Sequence, residues 1–332
     1  TLTSHGGIEV VLKAMQVHSV VPELQSQGCQ VLARHASNAE LSDRIASLGG
    51  IKAVLVGMEQ HAAAAPVQAH CCGALLNLAR SNGSKATIVA LGGVQVLSAA
   101  MRLHPSELEL QEDGCGVVAN LAVSADQRAA VASLGAVDVV VAAMRAHPEA
   151  ERVQQRGCGA LYSLALDPES RAVVSSLAGI EAVLQAMRLH PGEPEVQKEG
   201  CGALSRLASD ADSAEKIASL GGIELVLKSM GMHSATRGIQ LEGCGALANL
   251  ASSAKRRKSI AALGGLDLIL RAMGAHPIAE PSCGALFNLA VEQDLRRDIL
   301  LRISLLGPQL LRKDRDHGTP WCQRLLDLLE TY

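Results

Sequence analysis

The sequence predicts an all-α solenoid, a right-handed stack of about eight three-helix units. Three observations carry that prediction. One 43-residue period is shared by four residue types, the apolar residues inside each period have helical spacing, and aromatic side chains are nearly absent.

Methionine recurs at Met15, Met58, Met101, Met144, Met187, Met230 and Met273, each 43 residues after the last. Histidine keeps the same step at His18, His61, His104, His147, His190, His233 and His276. A glycine step falls at Gly6, Gly49, Gly92, Gly135, Gly221, Gly264 and Gly307, with Ala178 in the one missing place. Cysteine follows at Cys29, Cys72, Cys115, Cys158, Cys201 and Cys244. Four independent columns do not share a period by chance. The array covers 1–306, with units at about 1–40, 41–83, 84–126, 127–169, 170–212, 213–255 and 256–295. Residues 296–332 read as an atypical C-terminal capping repeat, because four residues are lost before Cys283.

Within a unit, a short helix at Ser213–Leu220 is expected to turn Ile217 and Leu220 inward. Gly221-Gly222 ends it and permits the positive φ that a sharp corner needs. Ile223, Val226, Leu227 and Met230 then fall at i, i+3, i+4 and i+7, one face of a second helix. The His-Pro pairs at 104–105, 147–148, 190–191 and 276–277 stop that helix, since proline cannot continue it. Ile239, Cys244, Leu247, Leu250 and Ala251 mark a third, longer helix.

Composition agrees. The 332 residues are 48% hydrophobic with one Trp, two Tyr and one Phe, so Ala, Leu, Val, Ile, Met and Gly fill the core. A net charge of −3 gives no basic face for a nucleic-acid backbone, and none is expected as a partner. The longest stretch without Asp, Glu, Lys or Arg, Gln60–Ala79, holds Pro66, Gln68, His61, His70 and Asn77 and does not read as a membrane span. The chain begins at Thr1 and enters the repeat part-way, as expected for a piece of a longer protein.

The ladders have plain packing roles in this reading. Equivalent positions in stacked repeats lie about 10 Å apart, whereas a disulfide needs Cα atoms within about 7 Å. The cysteines are therefore expected to be buried, reduced thiols in a cytoplasmic or nuclear compartment. His70-Cys71-Cys72 lacks a complete ligand set, and no metal or cofactor is expected. Each ladder histidine, at a helix end, is expected to meet the last carbonyls of its own helix. Glycine pairs such as Gly114 and Gly116 or Gly243 and Gly245 cost about 1 kcal/mol per residue relative to Ala, which close helix packing would offset. Lys255-Arg256-Arg257-Lys258 reads as a solvated loop, with nuclear localisation or anion binding as the sharper alternative. Thr319-Pro320-Trp321 starts a last helix, and Trp321 and Tyr332 are expected to lid the final repeat.

The third-helix pattern VQ…GCGALxNLA, as in Val67–Ala79, Leu110–Ala122 and Ile239–Ala251, resembles the armadillo repeat from Gly6 to about Ala290. That resemblance implies third helices lining a concave groove that binds extended protein segments. The family's groove asparagine matches Asn77, Asn120, Asn249 and Asn288, with Arg34, Ser163 and Arg206 elsewhere in the column. Its groove tryptophan is missing. Gly73, Gly116, Gly159, Gly202, Gly245 and Gly284 stand there instead, which implies a bare, deeper groove floor and tells against an importin-like carrier of basic peptides.

One turn earlier on the same stripe the column reads Gln27, His70, Asp113, Arg156, Glu199 and Glu242, changing at every step over a constant frame. The candidate groove is therefore Arg34, Asn77, Asn120, Arg156, Glu199, Arg206, Glu242, Asn249 and Asn288. The asparagines would pair with the backbone of an extended partner. Arg156 and Arg206 would select an acidic residue, and Glu199 and Glu242 a basic one. No Walker loop, HExxH, GxSxG or paired-carboxylate cluster is present, so the reading is a non-enzymatic scaffold for a protein or peptide partner. Its alternatives are a structural subunit of a larger assembly, compatible with a mean hydropathy of +0.20, and a nuclear-transport adaptor.

Overall fold

The computed structural model describes residues 6–276, 279–306 and 320–330 and shows helices, with no strand among them. Gly307, Pro277, Thr319 and Tyr332, all used in the sequence reading, lie outside the described residues. Two compact units divide the chain, Thr1–Ala182 and Val183–Tyr332.

The first unit opens with α1 (Gly7–Val17) and α2 (Pro22–Ala36), a second and a third helix. Full triplets follow: α3 (Ala39–Ser47), α4 (Gly50–Gln60), α5 (Ala65–Leu78); then α6 (Asn82–Ala90), α7 (Gly93–Leu103), α8 (Leu108–Val123). Next come α9 (Ala125–Val131), α10 (Val137–Ala146) and α11 (Glu151–Leu164), with a π-helical turn at Ala132–Ala136 between the first two. A further short helix, α12 (Pro168–Ser176), leads into α13 (Gly179–Leu189), within which the unit boundary falls. The second unit continues with α14 (Pro194–Leu207), α15 (Ala211–Ser219), α16 (Gly222–Met232), α17 (Arg237–Leu250), α18 (Ala254–Ala262), α19 (Gly265–Ala275) and α20 (Ala279–Leu289). It closes with α21 (Gln293–Leu306) and α22 (Pro320–Glu330).

Local chemistry explains the punctuation. Side chains of Asn38, Asp167, Asp210 and Ser253 cap short helices by accepting a backbone N–H three residues on. At the corner before each second helix the chain turns through a left-handed residue, with φ of 77° at Gly221. Ala178 takes the same conformation at φ 62°, so the ladder's one substitution keeps the shape despite its Cβ. This corner also breaks Ala125–Ala146, a 22-residue stretch long and apolar enough to cross a membrane by length and composition, half of it buried. Leu220, expected inside, is exposed, as are Leu48, Leu91 and Leu263. Each is the C-cap residue just before the turn, where the chain leaves the helix face that points inward.

Methionine and glycine form one device. A Cβ on Gly157 would stand 2.5 Å from Met144 Cγ, one on Gly200 2.5 Å from Met187 Cγ, and one on Gly114 2.5 Å from Met101 Sδ. The second helix thus lies on bare backbone of the third, and the methionines are buried. The second glycine column serves a different contact. A Cβ on Gly116 would meet Leu76 at 2.8 Å and Arg156 at 3.3 Å, and one on Gly245 would meet Ser205 at 2.9 Å. Flanking third helices bury Gly116, so the bare, deepened groove floor expected from the missing tryptophan is not found there, whereas Gly245 stays half-exposed beside Ser205.

A column not assigned a role in the sequence ties each repeat together. Gln25, Gln68, Gln111, Gln154, Gln197 and Gln240 are buried, one per repeat. Gln154 Nε2 donates to the carbonyls of Met144 and His147, both at 2.8 Å, and the other five repeat the pattern. These are the carbonyls that the end of the second helix leaves without an intrahelical donor. Histidine was expected to serve them and does not. Its Nε2 instead reaches back 42 residues to a carbonyl of the previous repeat, His61 to Ser19, His104 to Ala62, His147 to Pro105, His233 to Pro191 and His276 to Ser234. A carbonyl only accepts, so Nε2 carries the proton in each. The ring points outward past its own helix end because the glutamine already fills that end.

The ladder cysteines Cys72, Cys115, Cys158, Cys201 and Cys244 are fully buried, and burial pushes the thiols of Cys115, Cys201 and Cys244 up to about 12. The expectation of reduced thiols throughout fails at the C-terminal end, where Cys283 and Cys322 form a disulfide with Cα atoms 5.0 Å apart. The spacing argument covers equivalent positions in successive repeats. The capping helix α22 is not a repeat helix and brings Cys322 closer. Trp321 does act as a lid: its ring lies 5.4 Å from that of Phe287, and Gly284 sits beneath it.

Candidate functional site

Third helices stack side by side in each unit, α2, α5, α8 and α11 in the first and α14, α17 and α20 in the second, with α22 taking the next place. The asparagine column lies on this row, half-buried. Asn77, Asn120, Asn249 and Asn288 each donate from Nδ2 to a carbonyl in the last turn of the preceding third helix, those of Ala33, Leu76, Ser205 and Ala248, at 2.8 to 3.2 Å. One amide N–H is therefore engaged inside the protein, closing a helix end that would otherwise lack a donor. Oδ1 and the second N–H remain for a partner. Arg34, which replaces asparagine in the first repeat, is exposed, and so is Arg206.

The varied column separates into neutralised and open charges. Arg156 lies 2.6 Å from Asp113 and 3.3 Å from Glu112, so its positive charge, expected to attract an acidic partner residue, is matched internally. Desolvation still holds the Asp113 carboxyl above its ordinary range, the Arg156 guanidinium offsetting only part of that burial. The pairing was legible, since residues 43 apart share a column on adjacent third helices. In the second unit Lys198 lies 3.2 Å from Glu199 and 2.7 Å from Glu195. Glu242 makes no hydrogen bond or ion pair among the described residues. Burial raises its pKa, Arg206 lowers it, and nearby Glu199 raises it again.

This has a testable sign. A carboxyl raised in the folded state binds protons that the unfolded chain has already lost, so stability falls as pH rises through its titration. Glu242→Gln removes the effect. Its midpoint of thermal unfolding should exceed that of the parent at neutral pH, with the gap closing as pH drops below the unfolded carboxylate range. An unchanged gap across a pH series would show that Glu242 is not desolvated.

Two sharper motifs dissolve into structure. His70 Nδ1 meets Ser26 Oγ at 2.7 Å, Cys71 faces Cys29, and Cys72 Sγ lies 3.9 Å from the Leu110 carbonyl, so the three side chains diverge. Within the described residues no three potential ligands converge on a metal position. The basic run is half absorbed. Arg256 is buried, donating to the Leu250 carbonyl at 2.8 Å and to Glu215 at 2.7 Å, and Arg257 pairs with Glu292 at 2.6 Å. Lys255 and Lys258 alone stay exposed, too little for an anion-binding patch.

No family model matches the chain, and no curated protein sequence does. Solved structures do. An engineered protein from a structural genomics consortium is 27% identical, covers 74% of this chain and 96% of its own, and superposes with a TM-score of 0.64. A second engineered protein is 22% identical over 74% of this chain and 99% of its own, with a TM-score of 0.65. A structure from work on a phosphorylation switch controlling the interaction between cadherin and beta-catenin aligns with 99% of this chain and 84% of its own, at 16% identity and a TM-score of 0.45. The chain has a helical repeat fold, shared with the two engineered proteins.

Proposed function

We propose that this chain is a non-catalytic, armadillo-type binding scaffold that takes an extended protein segment across its third helices. The carrying observation is the second unit's face at Glu199 and Glu242. Neighbouring columns there are committed to internal contacts, while Glu242 keeps a half-buried carboxylate without an ion pair. A lysine or arginine from a partner would neutralise it in a partly dry setting, where an ion pair is worth more than on open surface. Oδ1 of Asn249 and Asn288 would accept from the partner's backbone irrespective of its sequence. Third helices about 10 Å apart would each meet about three residues of extended chain.

A displayed library of random peptides panned against the chain tests this. Binders should be enriched in lysine or arginine, and Glu199→Lys with Glu242→Lys should invert the preference towards Asp and Glu while leaving the fold intact by circular dichroism. If the parent enriches no basic residue, or the double variant selects the same peptides, this face is not the site.

A further inference from the structure

Cys71 is the cysteine that the repeat leaves unexplained. It stands one residue before the ladder, in a column otherwise held by Gly28, Gly114, Gly157, Gly200 and Gly243, and by Ser282 in the shortened last repeat. A second exception falls in the same repeat. Gly57 replaces the alanine found at Ala14, Ala100, Ala143, Ala186 and Ala272, and a Cβ on it would stand 3.6 Å from Cys71 Sγ. A methyl group is removed where a thiol is added.

That thiol points across the repeat boundary. Cys71 Sγ lies 2.8 Å from Cys29 Sγ, both residues have no exposed surface, and their helices α5 and α2 pack together. The ladder thiols behave otherwise. Cys72 faces a carbonyl at 3.9 Å, Cys201 faces Ser229 Oγ at 3.7 Å, and Cys244 faces Ser282 Oγ at 3.5 Å. The exclusion that holds between equivalent ladder positions does not apply, because Cys29 and Cys71 are one residue out of register.

We infer that Cys29 and Cys71 are a disulfide site, a covalent link between the third helices of the first two repeats. The oxidant is a small disulfide such as glutathione disulfide. One cysteine thiolate attacks it, forming a mixed disulfide and releasing one glutathione thiolate. The other cysteine thiolate attacks the bound protein sulfur, forms the Cys29–Cys71 bond and expels the second glutathione. The two electrons reduce the glutathione disulfide, and the two thiol protons end on the two glutathione molecules. The exchange belongs to folding, before α2 and α5 close. Afterwards the hydrogen bond with Cys29 and burial raise the Cys71 thiol well above its ordinary pKa, and no reagent reaches it.

Refolding in a mixture of reduced and oxidised glutathione, alkylating in denaturant and mapping tryptic peptides without reduction tests the site. The expected product joins the peptide spanning 14–34 to the one spanning 53–80, with fragmentation placing the bond on Cys71. Of nine cysteines, two pairs are then linked, counting Cys283–Cys322, and the remaining five are alkylated. Gly57→Ala with Cys71→Gly rebuilds the pattern of the other repeats. It should leave Cys29 alkylated and remove the effect of reductant on the denaturant midpoint at which the first unit unfolds. Recovery of Cys29 and Cys71 both alkylated, or of Cys29 joined to Cys72, overturns the inference.

Discussion

Replacing Gln154 with leucine should lower the free energy of unfolding by about 1–3 kcal/mol, from the buried Met144 carbonyl losing its donor. Leucine nearly preserves the volume, so the loss is not a cavity effect. The Met144 carbonyl sits at a helix end where Pro148 offers no N–H, while the His147 carbonyl keeps the backbone N–H of Ala150 at 3.1 Å once the amide is gone. Gln30→Leu on the exposed side of α2 is the control, expected to stay within about 0.5 kcal/mol of the parent. Repeat arrays gain stability from each unit and its neighbours, so the loss should appear as an early transition in urea and not as a uniform shift. Equal effects of the two substitutions would show that the glutamine clamp contributes nothing beyond surface polarity.

The second large effect is at the C-terminal end. Cys283→Ser with Cys322→Ser should destabilise α22 and α20 by about 2–4 kcal/mol, the usual worth of a closed loop of this size. The loop spans 39 residues. The chain has one tryptophan, and that tryptophan sits in the cap, stacked against Phe287 with the Arg324 guanidinium 5.0 Å above its ring. Its emission therefore reports this end alone. In the variant, or on adding dithiothreitol, it should shift to longer wavelength at a denaturant concentration that leaves helical circular dichroism largely intact. Coincident transitions by both probes, unaffected by reductant, would contradict a separately held cap.

What could be read without coordinates was whatever repeats. Among the described residues the period located every left-handed corner, including Ala178, and placed the asparagines on the third helices. What could not be read was direction. Glutamine was visible in the VQ pattern, yet nothing in one unit says that its amide folds back onto the second helix. Without that, the histidine was given the glutamine's role. Leu220 was taken as inward on helical spacing, which fails at a C-cap where the helix has already ended. The Cys283–Cys322 pair escaped because four residues are lost before Cys283 and Cys322 lies beyond the repeats. At the candidate site the varied column was legible, but its division into matched and open charges required knowing that neighbours in the column touch.

The bonds between repeats give the chain something like a lattice constant. Histidine reaches a carbonyl 42 residues back, and asparagine in complete repeats reaches one 44 residues back. Neither depends on how many units precede or follow. Copying a whole 43-residue block at a repeat boundary recreates each donor opposite its acceptor, whereas inserting a single residue misaligns both ladders at that joint. Growth or shrinkage by entire blocks is thus nearly silent to the neighbours, and slippage within a block is not. A molecule bonded in this way can change its number of units by gene duplication while its interior chemistry stays the same.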